Sequence, residues 1–501
     1  MNDSIAHLPP PDPQHRDMDA SLIRGLAWIG SVKWGTQLLA WSSSIIVARL
    51  LTPDDYGIVG MAIVYLGLIT LLTEFGVGTA VVTLRHLSQE QIAQLNGLSL
   101  LLGLAGFILS CMAAIPLGYF FRSPRLPWVV VAMSTSFVIS SLQSVPSALL
   151  QREFRFRLVS LIDGSRSLTL SLATILFAWY GLRYWTLVLG SILGALIGTV
   201  LTLTRLRCGF AWPRWGSLHH IVRFTRDVLI GRIAWYSYSN SDFVISGRVL
   251  GQTALGAYTI AWNLANIPVE KITGVLNGVT PAFFSAAQTE TALLRRYLLN
   301  LTEGVALVTL PLSIGMGLVV QEFVLVMLGS KWQPVVAPLR FLALYVTVRS
   351  MAPMIPVVLN VVGQSRSVMW NSIMAAMIMP SSFYIGSHWG NSGIALAWLL
   401  AYPIVAIPLF HRAFQKIELP WSVYLTNLRA PATGSLVMAI VVLVSRRLLP
   451  VDYALSTRLA VEVLGGAAAY VLVIGAIIFK RRHTLLRLFR LLRPPLPGTR
   501  P

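Results

Sequence analysis

The chain is predicted to be an all-α polytopic membrane protein of about fourteen transmembrane helices, organised as two pseudo-symmetric six-helix lobes followed by two C-terminal helices. Three observations predict this class. Of the 501 residues 55% are apolar and only 12% charged, about half the charged fraction of a soluble domain. Apolar runs of roughly 18 to 25 residues recur along almost the whole chain, each long enough to cross ~30 Å of hydrocarbon as a helix. Finally, the polar segment "RLLTPDDYGIVG" at residues 49–60 returns as "RVLGQTALGAYT" at residues 248–259.

Taken in order, residues 1–22 contain the proline-rich stretch "HLPPPDPQHRD" and read as a disordered cytoplasmic tail. They lack the layout of a cleaved signal peptide, because the first apolar run is too long and no small-residue cleavage site follows it. Spans 1 to 6, beginning near residues 25, 58, 95, 127, 158 and 184, form an N-lobe over 23–204. A cytoplasmic linker covers 205–225. Spans 7 to 12, beginning near 227, 257, 302, 335, 368 and 393, form a C-lobe over 226–412. Spans 13 and 14, near 431 and 459, occupy 413–480, and a basic cytoplasmic tail closes the chain at 481–501. No connection is long enough for a soluble catalytic or binding domain of about 50 residues or more. Function therefore resides among the helices.

The net charge of +20 invites a nucleic-acid reading, but the basic residues sit at span ends. Arg152, Arg155 and Arg157, then Arg205, Arg207, Arg214, Arg223 and Arg226, then Arg295 and Arg296, then Arg412, Lys416 and Arg429 all fall in even-numbered connections. By the positive-inside rule these connections and both termini face the cytoplasm. Arg122, Arg125, Arg446 and Arg447 are the exceptions. Cys111 lies inside span 3 and Cys208 in a connection, a placement that does not favour a disulfide.

Sliding the chain so that Ser42 falls on Ser241 also pairs Ile46 with Ile245, Arg49 with Arg248, Leu51 with Leu250, Gly57 with Gly256 and Ala62 with Ala261. Six spans separate the copies. An even number gives both lobes the same sense through the membrane, related by an axis along its normal, which is a transporter plan with the substrate path between lobes. The repeated segment is the outer turn between the first two helices of each lobe, where glycine is expected to permit tight reversal.

Ionisable groups in hydrocarbon cost a few kcal/mol or more, so they face a bundle interior or a watery cavity. In span 8, Asn263, Asn266, Glu270, Thr273 and Asn277 recur at intervals of three and four and form one stripe. Pro268 interrupts the helix beside them and frees a backbone carbonyl. Span 7 carries a row of Arg232, Trp235, Ser239, Asp242 and Ser246. Span 1 offers Lys33, in register with Arg232; each lies about 24 Å below the outer turn at the helical rise. Two such cations suit a doubly anionic headgroup such as a pyrophosphate, although snorkelling to the cytoplasmic surface accounts for them equally well. Arg349 in span 10 is a further candidate for the path. Asp242, Glu270 and Glu303 are the acids available for ion coupling. Asp163 and Arg166 in span 5 read as a local helix pair, and Glu74 in "TEFGVG" as a cap or interfacial residue. There is no P-loop, no HExxH and no cysteine-histidine metal spacing, so neither ATP hydrolysis, a cofactor nor a metal is expected. His219 and His220 read as solvated loop residues.

Four segments carry a family likeness: "ARLLTPDDYGIVGMAIVYLGLITLLTEFGVGTAVV", "LLQREFRFRLVSLID", "YTIAWNLANIPVEKITGVLNGVTPAFF" and "GSKWQPVVAPLRFLAL". They resemble the polysaccharide-transporter branch of the multidrug/oligosaccharidyl-lipid/polysaccharide exporter superfamily, and within it the Wzx-type exopolysaccharide flippases similar to the colanic-acid exporter. The resemblance implies a multi-pass protein of the bacterial inner membrane, with both termini cytoplasmic. It would move undecaprenyl-pyrophosphate-linked oligosaccharide repeat units to the periplasmic leaflet by alternating access, without ATP and without being an enzyme. The products would be exopolysaccharide or O-antigen. Expected partners are the polyprenyl-pyrophosphate-linked oligosaccharide and membrane lipid, with a polysaccharide polymerase and the export machinery as further candidates and no nucleic acid. Relatives resemble this chain more at Trp28 than at Lys33, so Lys33 draws no support from the family. Arg232, Arg349 and Lys33 are expected to attract the pyrophosphate while the span 8 stripe contacts sugar hydroxyls. The rivals are a small-molecule exporter of the same superfamily, which would want acidic cavity residues, and a membrane polysaccharide polymerase, which would want a large catalytic loop.

Overall fold

The computed structural model describes residues 35, 37, 39–74, 77–83, 87–214, 232–267, 284, 290–450 and 453–480. Eleven of its helices are long and apolar enough to cross a membrane. They are span 2 (Pro53–Glu74), span 3 (Gln89–Phe120), span 4 (Leu126–Arg152), span 5 (Phe156–Trp179), span 6 (Trp185–Arg205), span 9 (Thr291–Met327), span 10 (Ser330–Val361), span 11 (Ser365–Ser387), span 12 (Gly390–Lys416), span 13 (Arg429–Leu448) and span 14 (Leu455–Ile477). The expected spans 1, 7 and 8 are described in part, as helical residues 39–50, 232–250 and 252–267. The N-terminal tail, Lys33, His219, His220, Glu270, Thr273, Asn277 and the basic tail lie outside the described residues.

The chain forms two compact units, Met1–Ile233 and Ala234–Pro501. In each, the repeated segment breaks one helix and starts the next. In the first unit the break is Leu51–Thr52, and "TPDD" opens span 2 as a capping box with proline at its first position. Asp55 Oδ2 accepts from the Thr52 N–H at 2.9 Å and from its hydroxyl at 2.7 Å. Asp55 Oδ1 accepts from the Tyr184 N–H at 3.1 Å, tying the turn to the start of span 6. In the second unit residues Ser246–Leu250 widen into a π-helical turn that ends at Gly251, whose φ of 91° is open to glycine and strained for other residues. Gly57 and Gly256, the repeated glycines, do not make the reversal: both are buried inside the helices that follow it.

Packing relies on small residues that let helices approach, as lipid offers no hydrophobic gradient to drive them together. A Cβ on Gly106 would stand 2.3 Å from the Thr73 methyl, and one on Gly103 would stand 2.7 Å from Ser141 Cβ, which locks spans 2, 3 and 4 together. Spans 13 and 14 close on each other at Gly434, which faces Tyr470 and Ile474. They dock on span 9 through Tyr470, whose hydroxyl donates to the Leu307 carbonyl at 2.6 Å. Arg446 completes the attachment, 2.7 Å from Glu322 and 3.1 Å from Glu462. Glu462 is 1% exposed. Arg446, an exception to the basic-residue pattern, is thus held by two carboxylates in a structural cluster.

Candidate functional site

The first unit contains a cavity of ≈690 Å³, within the ~300–1,000 Å³ range of ligand sites. Its wall comes from spans 2 to 6 together with Arg232 at the start of the span 7 helix. Span 4 contributes most of the polar lining, at Ser136, Ser140, Gln143, Ser144, Ser147 and Gln151. These recur at three and four residues, so they occupy one helical face. Thr70 and Thr73 approach from span 2 and Thr202 from span 6.

Four ionisable side chains line the same space: Glu74, Asp163, Arg166 and Arg232. The Glu74 carboxyl and the Arg232 guanidinium attract one another electrostatically. Glu74, at the end of span 2, lines the cavity, and Asp163 and Arg166 belong to its wall as well. Hydropathy and spacing place these groups on spans but do not say which neighbouring helices leave room in front of them.

The second unit fills its interior with aromatic rings. Trp398 of span 12 lies 4.8 Å from Tyr345 of span 10, 4.8 Å from Phe383 of span 11 and 5.4 Å from Trp262 of the 252–267 helix. Asp242 sits at 0% exposure beside this cluster. Its Oδ2 accepts from the Tyr258 hydroxyl at 2.7 Å and from Trp398 Nε1 at 2.8 Å, and its Oδ1 from the Phe243 N–H at 2.9 Å. Every one of these partners is a donor, so the carboxylate is satisfied by hydrogen bonds where none of the described ion pairs reaches it.

Arg349 stands at the rim of the aromatic cluster. Its guanidinium carbon is 5.1 Å from the Trp262 ring centroid, a cation–π arrangement, and Nη1 donates to Asn266 Oδ1. Asn266 Nδ2 in turn donates to the Trp262 carbonyl at 2.8 Å. Two residues selected from the sequence, Arg349 and Asn266, are therefore brought together. Asn263, from the same stripe, is exposed, and Glu303 is half-buried on span 9. Trp262, Tyr345, Trp398 and Tyr402 were not among the candidates, because an aromatic at helical spacing carries no sign that distinguishes a site from ordinary packing.

Cys208, in the segment after span 6, has its thiol pushed up by burial and by the nearby Glu153, which disfavours the nucleophilic thiolate. Among the described residues no three His, Cys, Asp or Glu side chains gather as a metal site would require.

A family model described as "polysaccharide biosynthesis protein" matches residues 46–337. The lipopolysaccharide biosynthesis protein WzxC of Escherichia coli (strain K12) is 24% identical over 372 residues, covering 72% of this chain and 74% of that one. The succinoglycan biosynthesis transport protein ExoT of Rhizobium meliloti (strain 1021) is 24% identical over 476 residues, covering 93% of this chain and 94% of that one. Among solved structures, the lipid II flippase MurJ in an inward closed conformation superposes with a TM-score of 0.72 at 14% identity, covering 91% of this chain and 99% of that one. At that identity the superposition speaks for the fold.

Proposed function

The chain belongs to the family of polysaccharide biosynthesis proteins, and from that premise we propose that it is a flippase for polyprenyl-pyrophosphate-linked oligosaccharide. It would carry repeat units across the bacterial inner membrane for exopolysaccharide or O-antigen assembly, working by alternating access rather than by catalysis. The observation that carries this reading is the ≈690 Å³ cavity, lined by hydroxyls, amides and arginines within a bundle of apolar helices. Buried polar groups in hydrocarbon mark a substrate path. The names of relatives that work in lipopolysaccharide and succinoglycan synthesis support the same substrate class.

The cavity's position supports loading from the cytoplasm. Its lining falls at residues 70–74 of span 2, 78 and 82 of the short helix Val77–Thr83, 99 of span 3, 133–151 of span 4, 159–166 of span 5 and 191–202 of span 6. With the termini cytoplasmic, the contributions of spans 2, 3 and 5 fall in the cytoplasmic halves of those helices, while spans 4 and 6 line the cavity past their midpoints. Arg232 and Arg349 are each proposed as a cation able to attract the pyrophosphate, because an arginine fork matches phosphate oxygens in a dry site. Lys33 is a further cation for the same role. Asn263 and Asn266 contact the headgroup or its first sugar, and Glu270, Thr273 and Asn277 continue their stripe. Of the acids proposed for ion coupling, Asp242, Glu270 and Glu303, the geometry favours Asp242. A proton on its carboxyl would displace the Tyr258 or Trp398 donor and loosen the packing of the 252–267 helix against span 12.

The test is the sidedness of the lipid-linked oligosaccharide in a strain lacking the protein. Full-length repeat units should accumulate in the cytoplasmic leaflet, and surface polysaccharide should fall. Complementation with Arg349→Ala or Arg232→Ala should leave export impaired at normal protein level. An unchanged lipid pool would sink the flippase reading, and truncated units would point to an assembly enzyme.

A further inference from the structure

We propose that the cavity of the first unit is a glycan subsite in which Arg166 and the unpaired polar side chains of span 4 hold the sugars of the translocated lipid. The inference rests on the flippase reading and assigns the Arg166 and span 4 face of this cavity to the oligosaccharide, with the pyrophosphate at Arg232.

Arg166 is seated for such a task. Its stem lies along a groove formed by two glycines of span 6: an ideal Cβ on Gly198 would be 3.4 Å from Arg166 Cδ, and one on Gly194 would be 3.4 Å from the Arg166 carbonyl and 3.8 Å from Cγ. Gln143 joins it there, with Oε1 3.5 Å from the same Gly198 position. Side chains at both glycines would crowd the stem. Arg166 lines the cavity, and among the described residues its guanidinium has no hydrogen bond or ion pair. Packing of the stem fixes the donor fork while leaving all its N–H groups for a ligand.

Span 4 shows the same separation between structural and available groups. Ser134, Ser136 and Ser141 turn back and donate to their own helix carbonyls at 2.8, 2.6 and 2.8 Å. Ser140, Gln143, Ser144 and Ser147 make no such bond among the described residues and line the cavity. A spanning helix normally silences its serines by bonding them back. Four polar side chains left unengaged on one face are groups that await a polar ligand.

The charges select which ligand. Besides Arg232, the wall carries one guanidinium, Arg166, against two carboxylates, Glu74 and Asp163. A pyrophosphate placed deep in this cavity would meet both acids. Sugar hydroxyls both donate and accept, so they satisfy carboxylates, a guanidinium, serines and an amide together. With the pyrophosphate drawn to Arg232, the sugars attached to it extend over the Arg166 and span 4 face of the same cavity.

The test measures binding to the purified full-length protein in lipid nanodiscs. Two probes are used: undecaprenyl pyrophosphate without sugar, and the lipid-linked repeat unit extracted from a strain lacking this protein. Two variants are compared with the parent. Arg166→Met keeps the stem in its glycine groove and removes the guanidinium; the double variant Gln143→Leu with Ser144→Val removes two span 4 groups without touching Arg166. In both, affinity for the repeat-unit lipid should fall on the order of tenfold, as expected when a charged or multiple hydrogen-bond contact is lost, while affinity for undecaprenyl pyrophosphate stays within about twofold. Equal losses for the two lipids would mean that the face reads the pyrophosphate, and unchanged binding of both would mean that the cavity is not the sugar site; either result overturns the proposal. If Arg166→Met does not fold, the span 4 variant decides alone. A parent protein that binds neither lipid removes the flippase reading itself, and the subsite with it.

Discussion

In the first unit, span 4 presents Ser140, Gln143 and Ser144 to open space, whereas in the second, span 10 presents Tyr345 and Arg349 to a packed set of rings. Both are the fourth helix of their unit, so one position in the helix order serves two physical ends. Small polar side chains leave a polar hollow with room for a polyhydroxylated ligand. Large aromatic side chains fill the corresponding interior and hold a single carboxylate, Asp242, by donors at 2.7 and 2.8 Å. Side-chain volume separates the two: the described interior of the first unit leaves a hollow, and the described rings of the second pack against one another. The turns repeat the lesson. In the first unit Asp55 on the turn accepts from the span 6 backbone. In the second, the side chain of Asn391 at the start of span 12 donates to Ala254 beyond the turn at 2.6 Å and accepts from Ser246 at 2.9 Å. The connection is kept while its chemistry is reversed.

The comparison can be broken most forcefully at Trp398. Trp398→Ala should open a void among Tyr345, Phe383 and Trp262 and lower stability by about 3–5 kcal/mol, read as a large drop in melting temperature in detergent. A near-neutral result would show that the second unit is not held by its rings. Asp242→Ala should follow at about 3 kcal/mol, because the Tyr258 hydroxyl and the Trp398 indole N–H are left buried without an acceptor. Asp242→Asn, which keeps one acceptor oxygen, should recover part of that loss. At the turns, Asp55→Ala removes a capping interaction and the bond from Tyr184, for about 1–2 kcal/mol, and Asn391→Ala should cost about 1 kcal/mol. Similar losses would establish the two turns as equivalent fasteners. The smallest effect is expected in the hollow itself: Ser144→Ala should change melting by less than about 0.5 kcal/mol, since no hydrogen bond of the described structure depends on that hydroxyl. A large loss there would mean that the first unit, like the second, uses its interior for stability.

Several features of the site are legible in the sequence. Arg349 and Asn266 stood out as polar residues on apolar spans, and the structure joins them through one hydrogen bond. Asp242 was legible as a buried acid, though not its Tyr258 and Trp398 partners, which lie 16 and 156 positions away along the chain. Arg166 and Asp163 read as a local pair because three-residue spacing puts them on one face; that spacing is silent on the glycines of span 6 that seat Arg166. The placement of Glu74 is partly hidden for a related reason. Its place at the end of span 2 is a local fact, whereas its place on a cavity wall depends on span 4 standing back from it. Within the repeated segment of the second unit the reversal does use a glycine, Gly251 with its positive φ, although identity between the repeats marks Gly57 and Gly256 instead.

The sequence by itself determined that the chain is a helical membrane protein with a repeated turn, because lipid forces each backbone group to be satisfied within its own segment and so writes every span as a local apolar run. Only the tertiary structure decided which polar faces open onto space and which are closed by rings. Helical periodicity assigns a side chain to a face, but the room in front of that face is set by the volumes of residues on other helices.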